Sequence, residues 1–275
     1  MKDVTIAFIG GGNMARSLIG GLLADGVTPN SIWVADPNES VLRNHHSRFS
    51  VNTTADNGEA ARHAQVIVLA VKPQVARTVA QALAPAMRDR RPLVISIAAG
   101  IRESDLRRWL GVDTAIVRTM PNTPALVGSG ATALFANPAV NKEQKNLAES
   151  ILRAVGMTLW VDDEGLMDAV TALSGSGPAY FFLIMEAMEE AGHRLGLPQD
   201  TARLLTLQTA FGAAKMALES NEALSALRQR VTSPGGTTER AIKVLQEHRL
   251  EAVFDEALRA AHQRSVELAT MFGGK

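Results

Sequence analysis

Small residues at a fixed spacing follow the first apolar segment of the chain. Gly10, Gly12 and Ala15 belong to the sequence GGGNMA at residues 10–15, directly after the apolar residues 4–9. In a strand–turn–helix unit the first glycine permits a tight turn, the second lets a pyrophosphate approach the backbone, and the third small residue lets the helix pack on the strand. Free N–H groups at the helix N-terminus then face the phosphates. The pattern predicts a dinucleotide site; the alternative is a plain tight turn.

An acidic residue ends the second predicted strand, residues 31–35. Asp36 lies about 20 residues or more beyond the glycines, where a carboxylate accepts the adenosine ribose hydroxyls and repels a 2′-phosphate. Asn38 in the following turn, and Arg43 one helical turn later, are candidate partners of a phosphate. The alternative is that Asp36 only caps the next helix. Preference for NAD or NADP therefore stays open.

Residues suited to a cofactor site follow three further predicted strands. They are Lys72 and Pro73 after residues 66–71, Ala98 and Ala99 after residues 93–97, and Asn122 after residues 115–118. Ligands of open α/β sheets bind beyond the carboxyl ends of the strands. Small residues at such an end leave room for a flat ring, and nicotinamide is the natural occupant. A solvated lysine and a structural turn are the alternatives for Lys72 and Asn122.

A second glycine-rich loop lies in the C-terminal part of the chain. It reads SPGGTT at residues 233–238, just before a predicted helix. Backbone N–H groups next to hydroxyls at a helix N-terminus form a nest for a small anion such as a carboxylate. Two glycines after a proline are also ordinary turn chemistry.

Composition excludes several classes of function. Lys+Arg 28 balances Asp+Glu 28, which argues against nucleic acid or an anionic membrane as partner. The absence of cysteine rules out disulfides and thiolate metal sites, and the six histidines show no metal-binding spacing. No segment reaches the roughly 18 apolar residues of a membrane span, and the chain enters a strand without a signal peptide. A cytoplasmic protein without metal is expected.

Two kinds of pattern divide the chain. Strands alternate with helices predicted at 38–48, 74–87, 103–109 and 142–154, which indicates a Rossmann-like, doubly wound α/β sheet. After residue 163 only helical patterns appear. We therefore predict a dinucleotide-binding domain at 1–162 and an all-helical domain at 163–275. The helix predicted at 178–195 is apolar on every face of its first half, so it must be buried on all sides, and a homodimer is the simplest explanation.

Six segments together resemble one family, the pyrroline-5-carboxylate reductases. The resemblance is carried by residues 8–15, 70–73, 96–100, 120–124, 168–180 and 233–238. It implies NAD(P)H-dependent reduction of the C=N bond of 1-pyrroline-5-carboxylate to L-proline, the last step of proline biosynthesis. It also implies a helical substrate-binding and dimerisation domain, with the homodimers often assembled further into a ring, a decamer.

The resemblance also assigns roles to residues. Thr238 would hydrogen-bond the imine nitrogen and relay a proton to it, as the catalytic residue. Glu164 would favour the cationic iminium electrostatically. The other substrate contacts implied are Ser233, Gly235, Gly236 and Thr237 around the carboxylate, and Ser174, Gly175 and Ser176 on the opposite wall. The cofactor contacts implied, with NADPH or NADH, are Gly10, Gly11, Gly12, Asn13, Met14, Ala15, Asp36, Asn38, Asn57, Ala70, Val71, Lys72, Pro73, Ala98, Ala99 and Asn122.

Two rival functions fit the same architecture: a related imine or β-hydroxyacid reductase, and a non-catalytic dinucleotide sensor. β-Hydroxyacid reductases use a catalytic lysine in the helical domain, but Lys215 and Lys243 lie outside glycine-rich motifs. A non-catalytic dinucleotide sensor has no use for the second anion-binding loop at residues 233–238.

Overall fold

A twisted sheet with helices on both faces organises the first part of the chain. The computed structural model describes residues 4–88, 90–111 and 113–274. The strands within these ranges are β1 Ile6–Ile9, β2 Ile32–Ala35, β3 Asn52–Thr54, β4 Val66–Leu69, β5 Leu93–Ser96, β6 Ile116–Met120, β7 Gly130–Ala136 and β8 Gly156–Trp160. Their order across the sheet is β3-β2-β1-β4-β5-β6-β7-β8.

The helices connect these strands and then continue without further strands. They are α1 Asn13–Ala24, α2 Glu39–Phe49, α3 Asn57–His63, α4 Pro73–Met87, α5 Glu103–Leu110, α6 Lys142–Arg153, α7 Leu166–Val170, α8 Gly177–Arg194, α9 Gln199–Glu219, α10 Leu224–Arg230, α11 Thr237–Glu247 and α12 Leu250–Gly273. A π-helical turn, Thr171–Gly175, lies between α7 and α8, and 3₁₀ turns cover Pro29–Ser31 and Thr123–Val127.

The hydrophobic core lies on both faces of the sheet. Along β1, Ile6 and Phe8 belong to one buried cluster and Ala7 and Ile9 to the other, because successive side chains point to opposite faces. Every residue of β1, β4 and β5 is buried. This explains why central parallel strands read as continuous apolar runs in the sequence. The predicted doubly wound α/β fold is confirmed.

Two details of the sheet differ from the sequence prediction. Strand β7 pairs antiparallel with β6, whereas a parallel sheet was expected throughout. Residues 121–129 connect these strands through a 3₁₀ turn, and a parallel connection needs a crossover of about a dozen residues or more. The pair β3 and α3 was not predicted, because β3 is a short polar strand, Asn52–Thr54, without alternation.

The chain divides into two compact units, Met1–Ser176 with Ala260–Lys275, and Gly177–Arg259. In the first unit α7 packs against the end of α12, where the Ser265 hydroxyl donates to Asp168 Oδ1 at 2.6 Å and both residues are buried. The domain boundary at 162 and 163 refers to the end of the strand pattern and stays a prediction.

The second unit consists of helices with many exposed apolar side chains. Helix α8 packs on α9, yet Phe181, Phe182 and Leu183 on α8 and Phe211 on α9 are largely exposed in the single chain. Within the described ranges no helix is long and apolar enough to cross a membrane.

Candidate active site

Gly10 closes the turn after β1. Its φ is +98°, and a Cβ at this position would lie 2.6 Å from the carbonyl oxygen of Ala70, the residue after β4. Its N–H donates to the carbonyl of Ala35 at 2.8 Å, so the turn is fixed to the ends of both neighbouring strands. A side chain here requires both a left-handed backbone and movement of β4, which explains the glycine.

Gly12 has the opposite surroundings. It is exposed and caps the N-terminus of α1, and no described atom lies within 4 Å of the position that a Cβ would take. A cavity of about 310 Å³ opens here, lined among others by Asn13 and Arg16 of α1 and by Ser40 and Asn44 of α2. An open helix N-terminus with an arginine beside it fits the phosphates of a dinucleotide.

Gly11 is held by two side chains of the second strand–helix unit. Its N–H donates to Asp36 Oδ2 at 2.9 Å, and its carbonyl oxygen lies 2.8 Å from Nε2 of His45. The other carboxylate oxygen of Asp36 accepts from the N–H of Asn38 at 2.9 Å, and Asn38 caps α2 through the N–H of Ser40. Asp36 and Asn38, two of the predicted cofactor contacts, therefore lie beside the glycine loop. Their contact with a cofactor stays a prediction.

The contact of His45 with the glycine loop was not predicted from the sequence, where the histidines were considered only as metal ligands. The side chain is 1% exposed and packs near Phe49, with the ring centroids 6.0 Å apart. Val41, His45 and Phe49 follow each other at intervals of four residues and so share one face of α2. That spacing was the available signal that His45 points inward.

Asn122 joins two predicted parts of the site. Its Oδ1 accepts from the N–H of Ala131 at 2.9 Å, and its Nδ2 donates to the carbonyl of Ser174 at 3.1 Å. The amide thus fixes the π-helical turn to the end of β6. At Gly175 of that turn, a Cβ would lie 2.5 Å from Cε of Met120. A side chain at this position therefore requires the flexible end of Met120 to move, so the contact favours a small residue without requiring one.

The remaining predicted cofactor residues lie at strand and helix ends. Lys72 is exposed and caps α4, with Pro73 in the first turn, while Ala98 is buried and Ala99 half-buried after β5. Asn57 begins α3 and lines a different cavity of about 770 Å³ with Gly58 and Arg62.

Glu164 is the partner of a buried arginine. Its Oε1 lies 2.8 Å from Nη1 of Arg118, whose side chain is 4% exposed, and it also accepts the N–H of Glu103 at 2.7 Å. The carboxylate therefore neutralises Arg118 and caps the start of α5. This contact was not foreseen from sequence, because the partners are 46 positions apart in the chain.

The loop at residues 233–238 begins α11 in the second unit. Gly235 has φ +73°, and Gly236 caps the helix. The N–H of Gly236 donates to the carbonyl of Ser233 at 3.0 Å, and the N–H of Gly235 donates to Oε2 of Glu239 at 2.8 Å. A side-chain carboxylate thus already lies on one of the N–H groups predicted to hold the substrate.

Charged side chains, most of them positive, surround that loop. A cavity of about 700 Å³ is lined by Gly235 and Gly236 together with Arg228, Arg240, Lys243 and the acidic Glu239. Thr237 is the first residue of α11 and Thr238, half-buried, is the second. The arrangement suits a small carboxylate. In the described part of the chain no three His, Asp or Glu side chains are placed to hold a metal ion, and the expectation of no metal stays a prediction.

Comparison with known proteins covers both units. A family model described as pyrroline-5-carboxylate reductase dimerisation matches residues 164–268, and one described as NADP oxidoreductase, coenzyme F420-dependent, matches residues 5–100. The chain thus contains a dimerisation domain.

Relatives match over nearly the full length. A pyrroline-5-carboxylate reductase of Pseudomonas aeruginosa is 53% identical, covering 99% of this chain and 100% of that protein. The structure of a pyrroline-5-carboxylate reductase from Coxiella burnetii is 51% identical with a TM-score of 0.93, covering 97% of this chain and 99% of that one. The structure of a Plasmodium falciparum pyrroline carboxylate reductase with NADP bound is 31% identical with a TM-score of 0.87, covering 98% of this chain and 100% of that one. With this identity over both units, the chain belongs to the pyrroline-5-carboxylate reductase family.

Proposed function

We propose that the protein reduces the C=N bond of 1-pyrroline-5-carboxylate to give L-proline, with NADPH as reductant and NADH as a usable second donor. The observation that carries the proposal is the open N-terminus of α1 at Gly12, which leaves room for phosphates where a side chain would project. When bound, the nicotinamide supplies the hydride. Family membership supports the choice of substrate.

In the first unit the chain's part is to bind and orient the dinucleotide. The backbone N–H groups of Gly12, Asn13 and Met14 at the start of α1 hold phosphate. Lys72, exposed at the start of α4, adds positive charge, and Ala98 and Ala99 leave space for a flat ring. The carboxylate of Asp36 accepts two backbone N–H groups, and the remaining lone pairs of its oxygens suit the ribose hydroxyls of NADH. A relative with NADP bound supports NADPH.

In the second unit, the loop at residues 233–238 binds the substrate carboxylate and supplies a proton to the imine nitrogen. The N–H groups of Gly235, Gly236 and Thr237 bind the carboxylate, which replaces that of Glu239 at Gly235 and the carbonyl of Ser233 at Gly236. The hydroxyl of Thr238 donates to the imine nitrogen and passes on a proton taken from water. Because a protonated imine is the better hydride acceptor, this bond promotes the reaction. Ser174, Gly175 and Ser176 remain predicted substrate contacts.

The predicted role of Glu164 is weakened by its surroundings. Its carboxylate forms an ion pair with Arg118 at 2.8 Å. Because Arg118 neutralises the charge of Glu164, this carboxylate stabilises a cationic iminium only weakly. A structural role fits its contacts better.

The assembly we propose is a homodimer through the helical domain, with further association into a decameric ring. The exposed apolar side chains of α8 and α9, such as Phe182 and Phe211, support the dimer. A cytoplasmic location stays a prediction.

The proposal is tested by following oxidation of NADPH and of NADH, each with pyrroline-5-carboxylate as acceptor. We expect oxidation that depends on the imine with both nucleotides. No oxidation with either would contradict the proposal and return the β-hydroxyacid reductases as the leading alternative.

A further inference from the structure

Both backbone polar groups of Gly11 are bound by side chains. Asp36 accepts its N–H at 2.9 Å, and Nε2 of His45 lies 2.8 Å from its carbonyl oxygen. A carbonyl only accepts hydrogen bonds, so this contact assigns the ring proton to Nε2, which donates. The glycine loop is therefore held by two residues that follow β2 and lie 25 and 34 positions further along the chain.

This contact sets the direction of the next donor. The carbonyl of Gly11 and the N–H of Gly12 belong to one planar trans peptide, and in such a peptide the two groups point in opposite directions. With its oxygen directed at the buried ring of His45, the peptide aims the N–H of Gly12 away from that ring. Gly12 itself is exposed and its Cβ position is open, so the N–H is presented on the side where phosphate has room.

The type of residue at position 45 supports a role beyond packing. Nδ1 of His45 is buried and finds no hydrogen-bond partner among the residues that the structure describes. Leaving a buried ring nitrogen unpaired costs free energy, and the face shared with Val41 and Phe49 would accept an apolar side chain. Histidine gives this position the one group that an apolar residue lacks, the donor at Nε2.

We propose that His45 is a positioning residue for the dinucleotide. It lies at the edge of the cavity beside Gly12 and acts through Gly11, by orienting the N–H of Gly12 toward a phosphate. The inference rests on the proposed function, since it requires that the loop at residues 10–15 binds NADPH.

The test compares amides of different reach at this position. In His45→Gln the amide nitrogen extends to about the place of Nε2, whereas in His45→Asn it reaches only the place of Nδ1; His45→Leu has no donor. The exposed neighbour His46 provides the control, His46→Asn. The dissociation constant for NADPH is measured by the fluorescence of bound nucleotide, and thermal unfolding of the ligand-free proteins is followed by circular dichroism.

We expect the Asn and Leu variants to bind NADPH about tenfold more weakly, the loss of one hydrogen bond. The Gln variant and the His46 control should stay within about threefold of wild type by the same measure. If the Leu variant does not fold, the Gln and Asn pair decides.

Two results would overturn the inference. Unchanged NADPH affinity in the Asn and Leu variants, with or without a lower melting temperature, reduces His45 to a structural residue. Equal weakening in the Gln and Asn variants removes the role of the Nε2 donor. Wild-type protein that binds no NADPH would instead reject the proposed function, and the inference with it.

Discussion

At the scale of single residues, the loop after β1 contains glycines with opposite requirements. Gly10 is fixed by a positive φ and by the carbonyl of Ala70, and Gly11 by Val41, whose Cγ1 would lie 2.5 Å from an added Cβ. Gly12 has open space instead. The first two glycines are therefore needed by the fold, and Gly12 is the one whose absence of a side chain serves a ligand.

We predict that Gly12→Val keeps the fold and loses the cofactor. The valine side chain projects into the cavity beside Asn13 and Arg16 rather than into the protein. Thermal unfolding should change little, whereas NADPH binding should become undetectable by titration. Normal cofactor affinity in this variant would contradict the assignment of the loop.

We predict that Thr238→Ala lowers turnover by about 10- to 100-fold, or about 1.4–2.7 kcal/mol, because the hydroxyl no longer donates to the imine nitrogen. Steady-state kinetics with pyrroline-5-carboxylate and NADPH measure it. Thr270→Ala is the matched control, since the exposed Thr270 hydroxyl donates to the carbonyl of Val266 and lies outside the lining of the cavity at Gly235 and Gly236. Equal rates for Thr238→Ala and wild type would remove Thr238 from the mechanism.

At the scale of elements, an ion pair between a buried arginine and a half-buried glutamate joins β6 to the segment before α7. Arg118 is 4% exposed and its partner Glu164 is 23% exposed. Removing one partner of a buried pair leaves an uncompensated charge, which is more costly than the pair is worth. The pair therefore explains why this segment is fixed to the sheet.

We predict that Glu164→Ala lowers the free energy of unfolding by about 3 kcal/mol, measured by urea denaturation. Adding Arg118→Met should recover a large part of the loss, because the buried charge is then gone. A fully stable Glu164→Ala protein with strongly reduced turnover would instead favour the electrostatic role toward the iminium.

The elements that sequence predicts well are those with their own local signal. Strands β1, β4 and β5 are continuous apolar runs, and α1 follows a glycine loop. Strand β3 is short and polar, so its place depends on pairing with β2. Contacts of the site such as His45 with Gly11, or Glu239 with Gly235, arise from side-chain directions that composition does not report. The glycine loops are therefore predictable, but the side chains that hold them are not.

At the scale of the whole molecule, the helical unit leaves large apolar side chains on its surface. Phe182 is 63% exposed in the single chain. Large exposed apolar side chains on one helix are typical of an interface, and the dimerisation domain recognised at residues 164–268 includes this helix.

We predict that Phe182→Glu shifts the protein from dimer or larger assembly toward monomer, because a buried unpaired carboxylate opposes association. Light scattering after size-exclusion chromatography gives the mass. Met157→Glu, at an apolar position exposed by 53% on β8, is the control and should leave the mass unchanged. An unaltered mass for Phe182→Glu would exclude this face of α8 from the interface.

We propose that the protein reduces pyrroline-5-carboxylate to L-proline with NADPH, and that the open position of Gly12 is needed to bind this nucleotide. The most direct measurement compares the amount of L-proline formed from pyrroline-5-carboxylate with the amount of NADPH oxidised. Chiral chromatography of the product gives the amount of L-proline. We expect one L-proline for each NADPH oxidised, and no product with Gly12→Val. NADPH consumption without proline, or proline formed equally well by Gly12→Val, would contradict it.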